Sequence, residues 1–292
     1  MGEAGRPAAR PTVGLTLEGG GYRGLYSSGI LDVLMEEGIA FDHVVGVSAG
    51  AAFGCNLKSR QPGRAIRYNK RFCADRRYAG WGNLLVTGDF FSRDFAYGEV
   101  PLVIDPLDAA AFRANPLRFT VVATDIETGE AVYHDLGPGD TVDITWIRAS
   151  ASIPVFARPV ALEGRLLLDG GIADSIPVAW MRAQGAERQV AVLTQPVGYR
   201  KGPNRLMGPL RLLFHRYPRL VELLANRHLR YNACLDEVAA GERAGELFVI
   251  RPSEDVSVPT VCRDSEALER IYQVGRTDGT AALASLRAYL GQ

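Results

Sequence analysis

The stretch from His43 to Leu57 constrains the fold more than any other part of the chain. His43-Val44-Val45 is a short run, β-branched at its valines, that suits a buried strand, and it feeds directly into Gly46-Val47-Ser48-Ala49-Gly50. The small, largely apolar Ala51-Ala52-Phe53-Gly54-Cys55-Asn56-Leu57 then continues as a helix. Strand, sharp turn and helix, in that order, are the context in which Gly-x-Ser-x-Gly becomes a nucleophile elbow. Gly46 and Gly50 let the backbone close around Val47, Ser48 and Ala49, and the serine hydroxyl is thrust out at the C-terminal edge of a sheet. Ser48 is the candidate nucleophile, and the remaining sequence must supply a base and a site for the oxyanion.

The flanking segments imply an α/β chain. Thr12 to Leu17 reads as a first strand running into Glu18-Gly19-Gly20-Gly21-Tyr22-Arg23-Gly24. Ile30, Leu31, Leu34 and Met35 recur at helical spacing, with Gly38 where a helix end belongs. Phe41 to Val47 makes a second strand, so the chain begins βαβα, the signature of a parallel sheet covered by helices. Leu117 to Ala123 is a strand with Ala131-Val132-Tyr133 as its hairpin partner, and Thr141 to Ala151 is a helix that stops before Pro154. Leu166-Leu167-Leu168 is a short strand delivering Asp169-Gly170-Gly171, and Pro177 to Gly185 is a helix. Gln189 to Thr194 and Leu247 to Ile250 are buried strands, and Ser265 to Leu290 is a closing helix, interrupted near Gly275 or Gly279. Between Pro62 and Asp108 only Arg64 to Tyr68 reads as helical. The glycines and the aromatics Trp81, Phe90, Phe91, Phe95 and Tyr97 predict irregular structure over 80–108, packed on the sheet or serving as a lid.

No repeat or composition break divides the chain, so residues 12–292 read as one domain after a disordered lead-in, residues 1–11. The formal net charge is zero, which argues against nucleic acid as a partner. The first eleven residues lack the apolar core of a secretory signal, and no uncharged run reaches the roughly 20 residues of a membrane span. A cytoplasmic location follows as an expectation, with room for peripheral membrane contact. The basic helical region 205–231 carries the apolar stripe Leu206, Leu210, Leu213, Phe214, Tyr217, Val221 and Leu224 between arginines. It either packs on the sheet or lies on an anionic membrane surface. Cys55, Cys73, Cys234 and Cys262 show no zinc-ligand spacing, so reduced thiols and no metal are expected.

The glycine run has two chemical readings. Gly19, Gly21 and Gly24 formally satisfy a dinucleotide-binding pattern, with Asp42 as a ribose-binding acid. Asp42, however, precedes the second strand instead of following it, and no Gly-Lys-Ser/Thr completes a phosphate loop. In acyl chemistry the same glycines, lacking Cβ atoms, can aim backbone N–H groups at a developing alkoxide, helped by the positive end of the next helix. Asp169 ends a strand and is followed by two glycines that permit close approach to the nucleophile; read alone, the segment is equally a strand-ending turn. A Ser-Asp-His triad would use His215 or His228, but both lie in the basic helical segment and neither ends a strand. His43 and His134 sit inside strand-like segments.

Glu18 to Gly24, Gly46 to Gly50, Ala123-Thr124-Asp125 with Thr128-Gly129, Ala149 to Pro154, and Asp169-Gly170-Gly171 follow the order seen in patatin-like phospholipases. The chain resembles the bacterial single-domain members over roughly Thr12 to Thr194. That resemblance implies a three-layer α/β/α sandwich with a central, mainly parallel sheet. It also implies metal-free, cofactor-free hydrolysis of lipid acyl esters by a Ser48–Asp169 dyad with no catalytic histidine. The loop of Gly19, Gly20, Gly21, Tyr22, Arg23 and Gly24 would form the oxyanion hole, with Arg23 at the family's basic position. The same acyl-enzyme allows an acyltransferase; a dinucleotide-binding protein and a catalytically idle scaffold are the more distant alternatives.

Overall fold

The computed structural model describes residues 10–259 and 262–292. Its centre is a mixed sheet of eight strands. β1 (Val13–Leu17), β2 (His43–Val47), β3 (Arg118–Asp125), β7 (Arg188–Val192) and β8 (Leu247–Ile250) run parallel in the order β3-β2-β1-β7-β8. β4 (Ala131–Asp135) pairs antiparallel along the edge of β3 away from β2, and β6 (Arg165–Asp169), with β5 (Val160–Leu162) beside it, pairs antiparallel with the C-terminal end of β3 on the other edge. Every residue of β1 and β2 is buried, as expected of parallel strands covered on both faces.

Alternation along the strands sends side chains into two helical layers. Leu15, Leu17, Val44 and Phe119 join one core with residues of α1 (Gly24–Glu36), α2 (Ala49–Lys58) and α10 (Ser265–Leu290). Val45, Val47 and Val122 point the other way and meet Met181 of α7 (Val178–Ala183), while Ala191 and Leu193 meet Tyr231 and Val238 of α9 (Pro218–Arg243). The result is the expected three-layer α/β/α sandwich.

Four expectations need correction. First, α10 runs unbroken from Ser265 to Leu290. A Cβ on Gly275 would lie 2.0 Å from Tyr26 O and one on Gly29 2.2 Å from Tyr272 O, so these glycines bring α10 and α1 into backbone contact instead of interrupting a helix. Second, the connection over 80–108 is not irregular. After α3 (Arg64–Phe72) it forms α4 (Trp81–Thr87) and a π-helical run Phe95–Ile104, followed by α5 (Ala109–Ala114). Pro101, which has no N–H, lies within the π-helical run. Third, β5 is absent from the sequence reading. It pairs with β6 through Glu163 (φ 50°) and Gly164 (φ 75°), whose positive φ values suit a tight two-residue hairpin turn. Fourth, Arg10, assigned to the lead-in by the sequence reading, pairs with Asp42; the rest of that expectation, over residues 1–9, lies outside the described residues.

The basic segment divides into α8 (Met207–Leu213) and α9, with Pro218 opening the second helix. α6 (Thr141–Ser150) is capped by the Asp140 carboxylate, which accepts from the Val142 and Asp143 N–H groups. Among the described residues no helix is long and apolar enough to cross a membrane.

Candidate active site

The elbow forms where β2 ends and α2 begins. Ser48 has φ 56° and ψ −118°, a conformation that an L-residue holds only when its surroundings enforce it. Three contacts enforce it. The Ser48 N–H donates to Ser150 Oγ at 2.9 Å, and the Ser48 carbonyl accepts from the Ala51 and Ala52 N–H groups at 3.0 Å. Gly50 fits flush against β1, since a Cβ there would lie 2.4 Å from Leu17 O. Backbone conformations of this kind cost about 1–3 kcal/mol and persist only where the surroundings over-determine them.

β3 acts as the ruler that brings Asp169 to this serine. β2 occupies one edge of β3 up to the pair Val47–Val122, and then departs into the elbow. β6 takes over that same edge from the other direction, beginning with the pair Asp169–Ala123. Ser48 and Asp169 therefore meet end to end across adjacent positions of one strand. Glycine is required next, because a Cβ on Gly170 would lie 2.1 Å from Val122 O.

The Asp169 carboxyl is buried and accepts a hydrogen bond from the Gly171 N–H at 2.8 Å. Burial raises its pKa; Arg227, the adjacent Ser48 hydroxyl, the Gly171 N–H and Lys201 oppose that rise. Arg227 of α9 is held in place by its Nε, which donates to Gly171 O at 2.6 Å.

The glycine loop follows β1. Gly19 lies against the elbow, where a Cβ would be 2.8 Å from the Ser48 Cβ. Its carbonyl accepts from Thr194 Oγ1 at 2.9 Å, so the peptide that follows is oriented from β7's end. Among the described residues no acceptor engages the Gly19 or Gly20 N–H. Gly21 (φ 56°) starts a 3-10 turn, Gly21–Arg23, that runs into α1. Glu18 anchors the loop from beneath: its carboxyl accepts from the Thr194 N–H at 2.7 Å and from the Tyr231 hydroxyl. Gly24 packs on Ala49 beside the elbow, whereas the Tyr22 ring is buried edge-on to Phe91. Arg23 points into a polar cavity, and its buried Nε has no partner.

Ser48 borders two cavities. One, of ≈110 Å³, is lined chiefly by apolar groups including Tyr22, Phe53, Phe91, Tyr97, Val100 and Ile147. The other, of ≈330 Å³, is lined by Glu18, Arg23, Asp169, Lys201, Arg227 and Tyr231 among others. Gly21, Tyr22, Ser48 and Ile153 belong to both walls. The aromatic connection around residues 80–108 thus supplies part of the apolar wall.

The histidines lie elsewhere. His43 bonds Thr120 Oγ1 at 2.8 Å, and burial, then nearby Arg118, pushes it down to about 4. His134 stacks on Trp146 at 4.0 Å between ring centroids. His215 lies by Leu212 O, its Nδ1 3.0 Å away, and neither it nor His228 lines a cavity that Ser48 borders. Asp42 stands at the opposite end of β2 from the elbow, engaged by Arg10 and the Val13 N–H. All four cysteines are free thiols, and among the described residues no cluster of His, Cys, Asp or Glu is arranged to hold a metal.

The sequence reading did not single out Ser150, Thr194, Tyr231 or Lys201 as site residues. Ser150 lies in the small-residue block before Pro154, which offered a faint signal; single polar side chains in separate elements offered none.

Comparisons with known proteins match two segments of the chain. The family described as patatin-like phospholipase matches residues 15–180, and a domain of unknown function (DUF6363) matches 217–291. The uncharacterized protein YjjU of Escherichia coli K12 is 30% identical over 301 residues, covering 96% of this chain and 80% of its own length. An uncharacterized NTE family protein of Mycobacterium tuberculosis, Rv1063c, is 28% identical, covering 80% of this chain; the match spans 60% of that protein. Lysophospholipase NTE1 of Scheffersomyces stipitis is 27% identical across 92% of this chain, which spans only 18% of that relative. Human GIVD cytosolic phospholipase A2, solved with methyl gamma-linolenyl fluorophosphonate, superposes with a TM-score of 0.51 at 11% identity, covering 96% of this chain and 58% of its own, a likeness of fold alone. With the elbow, the glycine loop and the Asp-Gly-Gly turn all inside the matched region, the chain belongs to the patatin-like phospholipase family.

Proposed function

We propose that this protein is a carboxylic ester hydrolase that cleaves acyl esters of phospholipids with Ser48 as nucleophile and Asp169 as its base. The observation that carries this reading is the position of Ser48 at the seam between an apolar and a polar cavity. An acyl chain suits the first and the alcohol half of the ester suits the second, so the scissile carbonyl comes to rest over the serine.

Asp169 takes the Ser48 proton as Oγ attacks the carbonyl carbon. Charge on the tetrahedral oxygen is met by the open Gly19 and Gly20 N–H groups, donors of a kind typically worth about 3–4 kcal/mol each in the transition state. Collapse expels the alcohol, which leaves with the proton from Asp169. Water then attacks the acyl-enzyme, Asp169 receives its proton, and Ser48 recovers it as the fatty acid departs. An acceptor alcohol in place of water would turn the same intermediate to acyl transfer.

The test is mass spectrometry of products formed from a mixed phospholipid extract, together with a fluorophosphonate probe. Free fatty acid, the matching deacylated lipid and a single adduct on Ser48 are expected. Full probe exposure without an adduct on Ser48 would remove the scheme, and acyl exchange without free fatty acid would replace hydrolysis by transfer.

Contact with a lipid surface belongs to the same proposal. Leu206, Leu212 and Leu213 at and along α8 are exposed, among Arg205, Arg211 and Arg216, and Leu206 and Leu210 also border the polar cavity. Apolar side chains within a cationic collar suit an anionic bilayer. The full chain is expected to co-sediment with vesicles containing phosphatidylglycerol more than with pure phosphatidylcholine, and a Leu212→Asp, Leu213→Asp variant to lose that preference. Equal partition into both vesicle types would sink the idea.

A further inference from the structure

The polar cavity gathers three cationic side chains, Arg23, Lys201 and Arg227, against two carboxyls. Its ionisable lining comprises Glu18, Arg23, Asp169, Lys201 and Arg227, and both carboxyls are already engaged. Glu18 is bonded to the Thr194 N–H and the Tyr231 hydroxyl, and Asp169 to the Gly171 N–H beside Ser48. Among the described residues no ion pair joins Arg23, Lys201 or Arg227 to a carboxylate. Arg227 spends its Nε on Gly171 O, Lys201 Nζ sits 4.8 Å over the Tyr231 ring, and the buried Arg23 Nε has no partner at all. Burial, and after it the nearby Arg227 and Arg23, pushes Lys201 down to about 8.

Partly buried like charges repel and cost free energy unless an anion completes them. On the proposed reaction, the alcohol half of the ester occupies this cavity. We infer that Lys201 and Arg227, with Arg23, form a receptor for the phosphate of a glycerophospholipid, and that they favour head groups carrying no compensating cation. For a quaternary ammonium the site offers less: both carboxyls are taken, and Lys201 lies over the Tyr231 ring, a face such a cation would otherwise use. Lys201 lies outside the segment matching the patatin-like family, and Arg227 lies in the segment matching a domain of unknown function. The C-terminal third of the chain thereby acquires a role, as the wall that reads the head group.

The inference rests on the hydrolase reading, so the experiment carries one arm that measures turnover and one that does not. In the first, kcat/KM is compared for lysophosphatidate, lysophosphatidylcholine and monoacylglycerol of one chain length. The native protein should prefer lysophosphatidate by at least about tenfold to monoacylglycerol, which lacks the phosphate, and to lysophosphatidylcholine, whose phosphate has one ionisable oxygen fewer and a compensating cation, since a hydrogen bond to a charged group is worth roughly that factor. Lys201→Gln should cut that ratio about tenfold and Lys201→Arg should restore most of it. A native ratio near one, or a ratio unmoved by Lys201→Gln in a protein with unaltered circular dichroism, overturns the assignment.

In the second arm, glycerol 3-phosphate, inorganic phosphate and lysophosphatidate are titrated calorimetrically into the Ser48→Ala full-length chain, with and without Lys201→Gln. Binding that weakens in the Lys201 variant, and that is tightest for the lipid, supports the receptor even if no lipid is hydrolysed; in that case the hydrolase reading falls alone. No phosphate binding overturns the receptor, and equal affinity for glycerol 3-phosphate and lysophosphatidate overturns its assignment to lipid.

Discussion

Ser48→Ala is expected to lower kcat for ester hydrolysis by about a million-fold, the scale on which loss of a serine nucleophile acts when it works as a unit with its base. The protein should keep its fold. Alanine tolerates the positive φ of the elbow no worse than serine does, and the turn is held by the Ser48 N–H and carbonyl instead of by the hydroxyl. Initial rates on a phospholipid, thermal melting by circular dichroism and intact-mass measurement after fluorophosphonate treatment check the three parts. A variant that folds, takes no adduct and still retains a tenth of the native rate would show that the acyl group is carried elsewhere.

Asp169→Asn is expected to lower kcat by about 10³–10⁴-fold, the upper range for removal of a positioned general base. The amide keeps the shape of the carboxyl and can still accept from the Gly171 N–H, so lost activity reports lost basicity and not a collapsed loop. A protein with His215→Ala and His228→Ala together should stay within about threefold of native, because those rings line neither cavity beside Ser48. The opposite pattern, a dead histidine variant with an active Asp169→Asn, would replace the dyad by a triad. The pH profile gives a second readout. A base must be ionised, and burial raises the Asp169 pKa, so the rate falls on acidification at a higher pH than an ordinary carboxylate would give. An acid limb at or below the usual carboxylate range would argue that another group titrates.

Much of the fold was readable because local pattern and tertiary role coincide. β1 and β2 are largely apolar runs that lead into glycine-bearing turns, and a strand buried on both faces needs that composition whatever its neighbours. The failures share one cause, that a residue's local preference was outvoted by what packs on it. Gly275 and Gly279 look like helix breakers, yet α1 presses close enough that glycine is the residue its backbone tolerates at Gly275. The connection around Pro101 looks irregular by composition, yet it is helical over Phe95–Ile104, with Phe95 at its start packed edge-on against Phe72. Val160–Leu162 is too short to stand out until β6 pairs with it.

By itself, then, the sequence determined the elbow, the glycine loop, the Asp-Gly-Gly turn and the parallel half of the sheet, because each is a local arrangement that few other residues could build. Only the tertiary structure decided that Asp169 faces Ser48, through β6 taking over the edge of β3 that β2 leaves. It alone gathered Lys201 and Arg227 beside Arg23, from parts of the chain far apart in sequence. A charge cluster assembled from separate elements has no period and no motif; it exists only once the sheet has fixed where those elements end.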